Sequence, residues 1–289
     1  MITVLIVIII HSIFKAFIEN LGNDSTAKIA YFIQYLIIVS LVTDTLVSVI
    51  DATKQSIDNI VSFMNLLIPL LSTLMLTTGC IISTNAIQPV ILVMISFIGN
   101  FITSFIIPML LISITLSIVS NISDKIHIDR LSNFMKSSIV WGLGIILTIF
   151  VCSLSVEGTL SSSVDGMTAK TAKAAVSNFI PVVGKILGDS IDSIIGCGNI
   201  LKNAVGIIGV LIIIGIVVIP ILKLGVLWIS FYILSGICEI VADQKIVKLI
   251  GQISDSYKIL LAILFSVSCM FIIGITIVLK ITNSALMYR

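Results

Sequence analysis

The chain has 289 residues, 58% of them hydrophobic and 10% charged, with a mean hydropathy of +1.26. A soluble domain carries about 25% charged residues, so this chain cannot cover a water-exposed surface and must use lipid as solvent. The net charge of +2 excludes the strongly basic balance of a nucleic-acid-binding protein.

Ile2 to Ile18 form an apolar run with Lys15 and Glu19 at its end. It lacks the early positive charge and small-residue cleavage site of a signal peptide, and reads as a retained helix. Glu19 to Lys28 is the first polar loop. Ile29 to Ile50 is long enough to cross a bilayer, which takes about 20 residues. Asp44 lies inside that run, about two turns from its end. Beyond it, Asp51, Lys54, Gln55 and Asp58 fall on one helical face and Ile57, Ile60, Val61 and Met64 on the other. That pattern predicts an amphipathic helix at the membrane interface.

Leu66 to Ser83 is apolar, and TNAIQP (Thr84 to Pro89) is expected to be a connection. Val90 to Ser120 is nearly uncharged for 31 residues. It is either one long helix kinked at Pro108 or two part-helices meeting there. Ser123 to Lys136 predicts a second amphipathic surface helix. Ile128, Leu131 and Met135 form its apolar face, with Lys125, Asp129 and Lys136 outside it. Ser138 to Val156 is a span, and its Gly142 and Gly144 are small enough for close helix contact.

Asp165 to Gly209 is the least hydrophobic long segment of the chain. Glu157 to Asp165 ahead of it is a Ser-rich loop. From Thr168 to Phe179, Ala169, Ala172, Val176 and Phe179 line one side, Lys170, Lys173 and Ser177 another. Pro181 and Gly184 break that helix. Leu187, Ile191, Ile194 and Ile195 then form a stripe opposite Lys185, Asp189 and Asp192. The segment predicts one or two interfacial or re-entrant helices held against the bundle. Ala204 to Ala242 is again too long for one upright crossing, and Pro220 and Lys223 interrupt it. One crossing and two remain open. Asp243 to Lys258 is a third amphipathic helix that buries Ile246, Ile250, Ile253 and Tyr257. Ile259 to Ile281 is the last span.

The expected fold is therefore all-α: a polytopic helical membrane protein of roughly 6–8 spans with amphipathic or re-entrant helices. Three regions follow the chain, at 1–60, 61–156 and 157–289. A duplication is hinted at by NLLIP before Pro108 and NFIP before Pro220. Pro69 and Pro108 are 39 residues apart, as are Pro181 and Pro220. Repeats with Pro-broken helices suit transport folds, so a stand-alone transporter or pore for small solutes is the alternative function.

Catalytic signatures are absent: the sequence holds no GxxxxGK[ST], GxSxG, HExxH or GxGxxG. No enzyme activity and no cofactor are expected. Cys80, Cys152, Cys197, Cys238 and Cys269 are scattered singly, and His11 and His127 have no ligand-like neighbours. Metal ligation is not expected, and buried free thiols are. The many serines and threonines are expected to bond back to helix carbonyls or to neighbouring helices. Charges at membrane depth are costly, which singles out Lys223 and Asp44 as intramembrane charges.

DGMTAKTAK (Asp165 to Lys173), NFIPVVG (Asn178 to Gly184) and KNAVGIIG (Lys202 to Gly209) resemble the stage III sporulation protein AE family in order and spacing. The likeness extends through Gln88–Pro89, Leu116 to Lys125 and Leu147 to Phe150. The resemblance implies a membrane-embedded subunit of a sporulation channel complex, secretion-like, that links mother cell and forespore in endospore formers. It further implies a multi-pass place in the mother-cell membrane around the forespore. Implied partners are the other stage III sporulation subunits, including a secretion-type ATPase and ring-forming proteins. The candidate functional and assembly residues are then Asp165, Gly166, Lys170, Thr171, Lys173, Asn178, Pro181, Gly184, Asp189, Asp192, Lys202, Asn203, Gly206 and Gly209.

Overall fold

The structure, a computed structural model, describes the backbone of residues 6–7, 10, 24–122, 128–179 and 183–287. Side chains at 24–31, 34, 122, 159–162, 166, 168–179, 183–192, 194, 241 and 282–287 lie outside the described set. Every described element is a helix: α1 (Asp24–Thr77), α2 (Ile81–Phe101), a π turn (Ile102–Ile106), α3 (Ile107–Ile122), α4 (Asp129–Phe179), α5 (Val183–Val241) and α6 (Gln244–Met287). In hydrocarbon the backbone must satisfy its own hydrogen bonds, and helices do so within one segment. The hydroxyls follow suit. Thr53 Oγ1 donates to Val49 O at 2.8 Å, Ser138 Oγ to Phe134 O at 2.9 Å and Thr148 Oγ1 to Gly144 O at 2.8 Å.

Five stretches among the described residues are long and apolar enough to cross a membrane: Tyr35–Thr77, Ile81–Asn121, Asp129–Asp165, Ile195–Ile240 and Gln244–Ile281. The six to eight spans expected from the sequence are not reached among these residues, and most of the Ile2 to Ile18 run lies outside them. The shortfall has a physical cause. The amphipathic stretches are not separate interfacial helices but continuations of the long ones. Asp51 to Met64 lies within α1, Thr168 to Phe179 within α4, and Gln244 to Lys258 opens α6. In the first and last of these the apolar face is covered by protein: Ile57, Ile60 and Met64 are buried, as are Ile246, Ile250, Ile253 and Tyr257.

The Ser-rich stretch Glu157 to Asp165 is also helical, inside α4, not a loop. Ala204 to Val241 is one continuous helix, not two, because α5 runs unbroken through Pro220 and Lys223. Around Pro108 the chain keeps one helical course through the π turn. Proline lacks the N–H that would bond to the fourth carbonyl back, and a π turn absorbs such a mismatch. The equal proline spacings do not mark equal structures. The first spans a turn and the π segment, whereas α5 from Val183 to Pro220 is continuous helix.

The expected connection TNAIQP lies inside α2; the turn comes earlier, at Thr78 to Cys80. Gly79 takes φ 80°, a conformation that favours glycine. Its N–H donates to Leu76 O at 3.0 Å, and the Cys80 N–H donates to Met75 O at 3.1 Å. Together these bonds make a Schellman motif that closes α1.

The described chain divides into two compact units. The first comprises Met1–Ser56, Ile102–Gly142 and Ile219–Phe265. In it the Ser132 hydroxyl meets Ser113 Oγ at 2.9 Å and Ser117 Oγ at 2.6 Å. Asn121 Nδ2 donates to Gln252 Oε1 at 2.6 Å, and Lys136 Nζ to Gln252 O at 3.1 Å. This reverses the expected face of the α4 start: Ser132 and Lys136 are buried and Leu131 is exposed. Hydrogen bonds to neighbouring helices outweigh the pull of one leucine.

The second unit comprises Ile57–Phe101, Leu143–Val218 and Ser266–Arg289. Its core packs Phe150 edge-on against Phe271, ring centres 6.4 Å apart. Glycines admit close neighbours here. A Cβ at Gly206 would stand 2.4 Å from Leu279, one at Gly209 2.6 Å from Leu67 and one at Gly99 2.9 Å from Val61. Gly142 and Gly144, expected to be contact points, have nothing within 4 Å of such a Cβ. All five cysteines are free. Cys80 and Cys238 are buried, Cys269 half-buried, and Cys152 and Cys197 exposed, contrary to the expectation that they would be buried.

Candidate functional site

The turn between α1 and α2 leaves a chemical problem. Because α2 starts at Ile81, directly after the Schellman motif, Cys80 occupies the capping position. A thiol is a poor acceptor for the first free N–H groups of a helix, where Ser, Thr, Asp or Asn is preferred. The acceptor comes instead from α4. Asp165 Oδ1 accepts the Ile82 N–H and Asp165 Oδ2 the Ser83 N–H, both at 2.9 Å. The carboxylate is 3% exposed. Its charge faces the positive end of the α2 dipole, which favours an anion there.

Hydroxyls complete the turn. Thr78 Oγ1 donates to Met75 O at 2.7 Å and approaches Cys80 Sγ at 3.7 Å, and Thr84 Oγ1 donates to Cys80 O at 2.5 Å. α5 brings the cation. Lys202 is 0% exposed, and an electrostatic interaction couples its ammonium to Cys80. One turn earlier, Gly198 lets α5 approach the same bend: a Cβ there would stand 3.1 Å from Thr77 Oγ1 and 3.2 Å from Thr78 Cγ2. Two buried oxygens near these residues in sequence, Ser83 Oγ and Asn199 Oδ1, have no hydrogen-bond partner among the described residues.

Of the residues singled out by sequence, this unit brings together Asp165 and Lys202 around one turn, with Gly206 and Gly209 packing α5 below them. Asn203 is half-buried on the same helix. Lys170, Thr171, Lys173 and Asn178 lie on the backbone of α4, and Gly184, Asp189 and Asp192 on that of α5; their side chains, and the surroundings of Gly166, lie outside the described residues, as does Pro181 entirely. Lys223 and Asp44 belong to the first unit, where both are exposed. Sequence reasoning missed Thr78, Cys80, Ser83 and Asn199. The Thr-Gly-Cys of 78–80 carried a signal, a glycine after an apolar run, but nothing local pointed to a cap 83 residues away.

The arrangement is suited to holding helices. Among the described residues no group of His, Cys, Asp and Glu could hold a metal ion. Asp165 spends both oxygens on backbone donors. A buried carboxylate ties α4 to the start of α2, with a specificity that apolar packing alone does not give, and a buried lysine on α5 stands near the same turn.

Comparison with known proteins places these residues in context. A family model described as stage III sporulation protein AE matches residues 1–282. A Bacillus subtilis (strain 168) protein named stage III sporulation protein AE is 31% identical over 286 residues, which cover 99% of this chain and 72% of that relative. No solved structure matches.

Proposed function

The chain belongs to the stage III sporulation protein AE family, and on that premise we propose that it is a membrane-embedded subunit of a secretion-like channel complex linking mother cell and forespore. The observation that carries the reading is the family match over nearly the whole chain, joined to five membrane-length apolar helices. In this reading the protein sits as a multi-pass component of the mother-cell membrane around the forespore. Its partners are the other stage III subunits, among them a secretion-type ATPase and ring-forming proteins. The Asp165–Gly209 segment is the assembly element. The Asp165 cap and Lys202 fix its two helices, and the lysines at 170 and 173 offer charge to a partner.

The test is made in a spore former whose own copy is deleted. Restoring this chain with a fluorescent tag is expected to restore heat-resistant spores, put the protein in the membrane fraction and give a signal around the engulfed forespore. Co-purification of the other stage III subunits is expected too. Full spore yield without the protein would overturn the proposal. Solute flux in liposomes from the purified protein alone would replace it with the transporter reading. Within the segment, Lys170→Glu with Lys173→Glu is expected to cut subunit recovery and spore yield while membrane insertion stays intact. Unchanged yield would remove the assembly role from that segment.

A further inference from the structure

In the first unit, α4 and α6 run side by side from a shared start. Asp129, the first residue of α4, pairs with Lys248 and accepts a hydrogen bond from Gln252 Nε2 at 3.2 Å. One step deeper, Lys136 reaches Gln252 O. Deeper again, the two helices part around an open groove of about 510 Å³.

The groove is ordered along the helices. Its end nearer the helix starts carries charge: Lys136 from α4, Asp255 and Lys258 from α6. Its far end is apolar: Val140 and Trp141 from α4, Ile259 and Ala262 from α6. Two lysines and one aspartate leave a net charge of +1. The Lys136 ammonium is held by Gln252 O and lies in the field of Asp255. Lys258 is exposed and makes no ion pair among the described residues. Trp141 is 72% exposed, an unusual setting for the largest side chain unless lipid is the medium, since tryptophan belongs at the headgroup level of a bilayer.

The geometry points to a binding site for one acidic glycerophospholipid, its phosphate against Lys258 and Lys136 and an acyl chain along Val140, Trp141, Ile259 and Ala262. The segregation of charge and apolar surface along one groove fits an amphiphile. A free phosphate would leave the apolar half empty, and a zwitterionic headgroup would set its own cation against the lysines. Basic pockets between membrane helices hold anionic headgroups by the same means. The site does not depend on which complex the protein serves.

Trp141 can report on its own occupant, because the chain has only one other tryptophan, Trp228. The full chain carrying Trp228→Phe is reconstituted in phosphatidylcholine vesicles containing a small, equal fraction of brominated phosphatidylglycerol or brominated phosphatidylcholine. Quenching of Trp141 is expected to show phosphatidylglycerol bound about fivefold tighter, the factor that one lysine near a membrane surface supplies. Lys258→Gln is expected to bring that ratio close to one, and Ala262→Trp in an otherwise unaltered chain to lower the phosphatidylglycerol retained in native mass spectra. Millimolar glycerol phosphate is expected to leave the quenching unchanged. Equal quenching by both lipids would reduce the groove to ordinary lipid contact and overturn the site. So would an unaltered ratio in Lys258→Gln, or a Trp141 that neither lipid quenches. Should Trp228→Phe fail to fold, wild-type native mass spectra decide: no preference for phosphatidylglycerol over phosphatidylcholine rejects the proposal.

Discussion

Each unit has buried polar groups of its own, and the two sets are built from different chemistry. The second unit uses formal charge: Asp165, 3% exposed, caps α2 through two backbone donors, and Lys202 is fully enclosed. The first unit buries mostly neutral groups, the hydroxyls of Ser113, Ser117 and Ser132; its buried ammonium, Lys136, rests on the backbone carbonyl of Gln252, and its ion pair of Asp129 with Lys248 stays half in the open. A buried charge is costly to strand, whereas a neutral hydroxyl can turn back to its own helix carbonyl. Polar substitutions should therefore hurt the second unit more. Asp165→Ala strips the acceptor from two backbone N–H groups, each worth about 1–3 kcal/mol when orphaned in a buried site. The expected loss is about 2–4 kcal/mol, read as detergent-solubilised unfolding. Asp165→Asn keeps one acceptor and should lose roughly half as much. A loss in Asp165→Ala no larger than in surface variants would remove the cap from its central place.

Packing sharpens the contrast next. A Cβ at Gly206 would meet three atoms of the Leu279 side chain within 3 Å. Gly206→Ala is expected to cost about 1–3 kcal/mol through overpacking. Because the obstacle is a side chain, Leu279→Ala in the same protein should recover part of that loss. The double mutant thus separates overpacking from a change in helix propensity, which favours alanine over glycine by about 1 kcal/mol. Gly144→Ala, with nothing within 4 Å, should be neutral or mildly stabilising. If Gly206→Ala and Gly144→Ala behave alike, the close approach of α5 to α6 is wrong.

The same two regions show what a sequence can and cannot reveal. Membrane character and an all-helical fold follow from composition alone. The buried faces of Ile57, Ile60 and Met64 and of Ile246, Ile250, Ile253 and Tyr257 follow from helical periodicity, which is local information. Helix ends were harder. Prolines at 89 and 220 suggested breaks, yet both lie inside helices, where surrounding helices offset the lost hydrogen bond. The real turn was set by Gly79, ahead of the expected connection, which begins at Thr84. Polar runs such as Glu157 to Asp165 read as loops because serine and aspartate are rarely chosen for helix interiors. Here the aspartate was needed as a cap for another helix. Asp165 and Lys202 stood out by their chemistry, but their partners lie at the start of α2 and in the turn before it, a relation that no local pattern encodes.

The first unit supplies the smaller effects. Ser132→Ala removes a hydroxyl that meets two serine side chains and Ser113 O at 2.9 Å. Interhelical polar contacts in membranes average about 0.6 kcal/mol and reach about 1.7, so a loss of about 1 kcal/mol is expected. Ser117→Ala should lose less, since Ser132 keeps its bonds to Ser113. Equal losses would mean that Ser132 is not the hub.

The smallest effect is expected at Asp129→Asn. The Asp129 and Lys248 side chains are 28% and 50% exposed, where water and salt weaken the pair. The asparagine still offers an oxygen to Gln252 Nε2, so only the ionic part is lost, below about 1 kcal/mol. A negative charge at the first residue of α4 also favours the helix start, a contribution that salt screens as well. Unfolding of wild type and variant should therefore converge as sodium chloride rises, while the gap between wild type and Asp165→Ala should hardly change, because salt does not reach an enclosed carboxylate. If the Asp165 gap closes with salt and the Asp129 gap does not, the assignment of an enclosed carboxylate to the second unit and an exposed ion pair to the first is reversed.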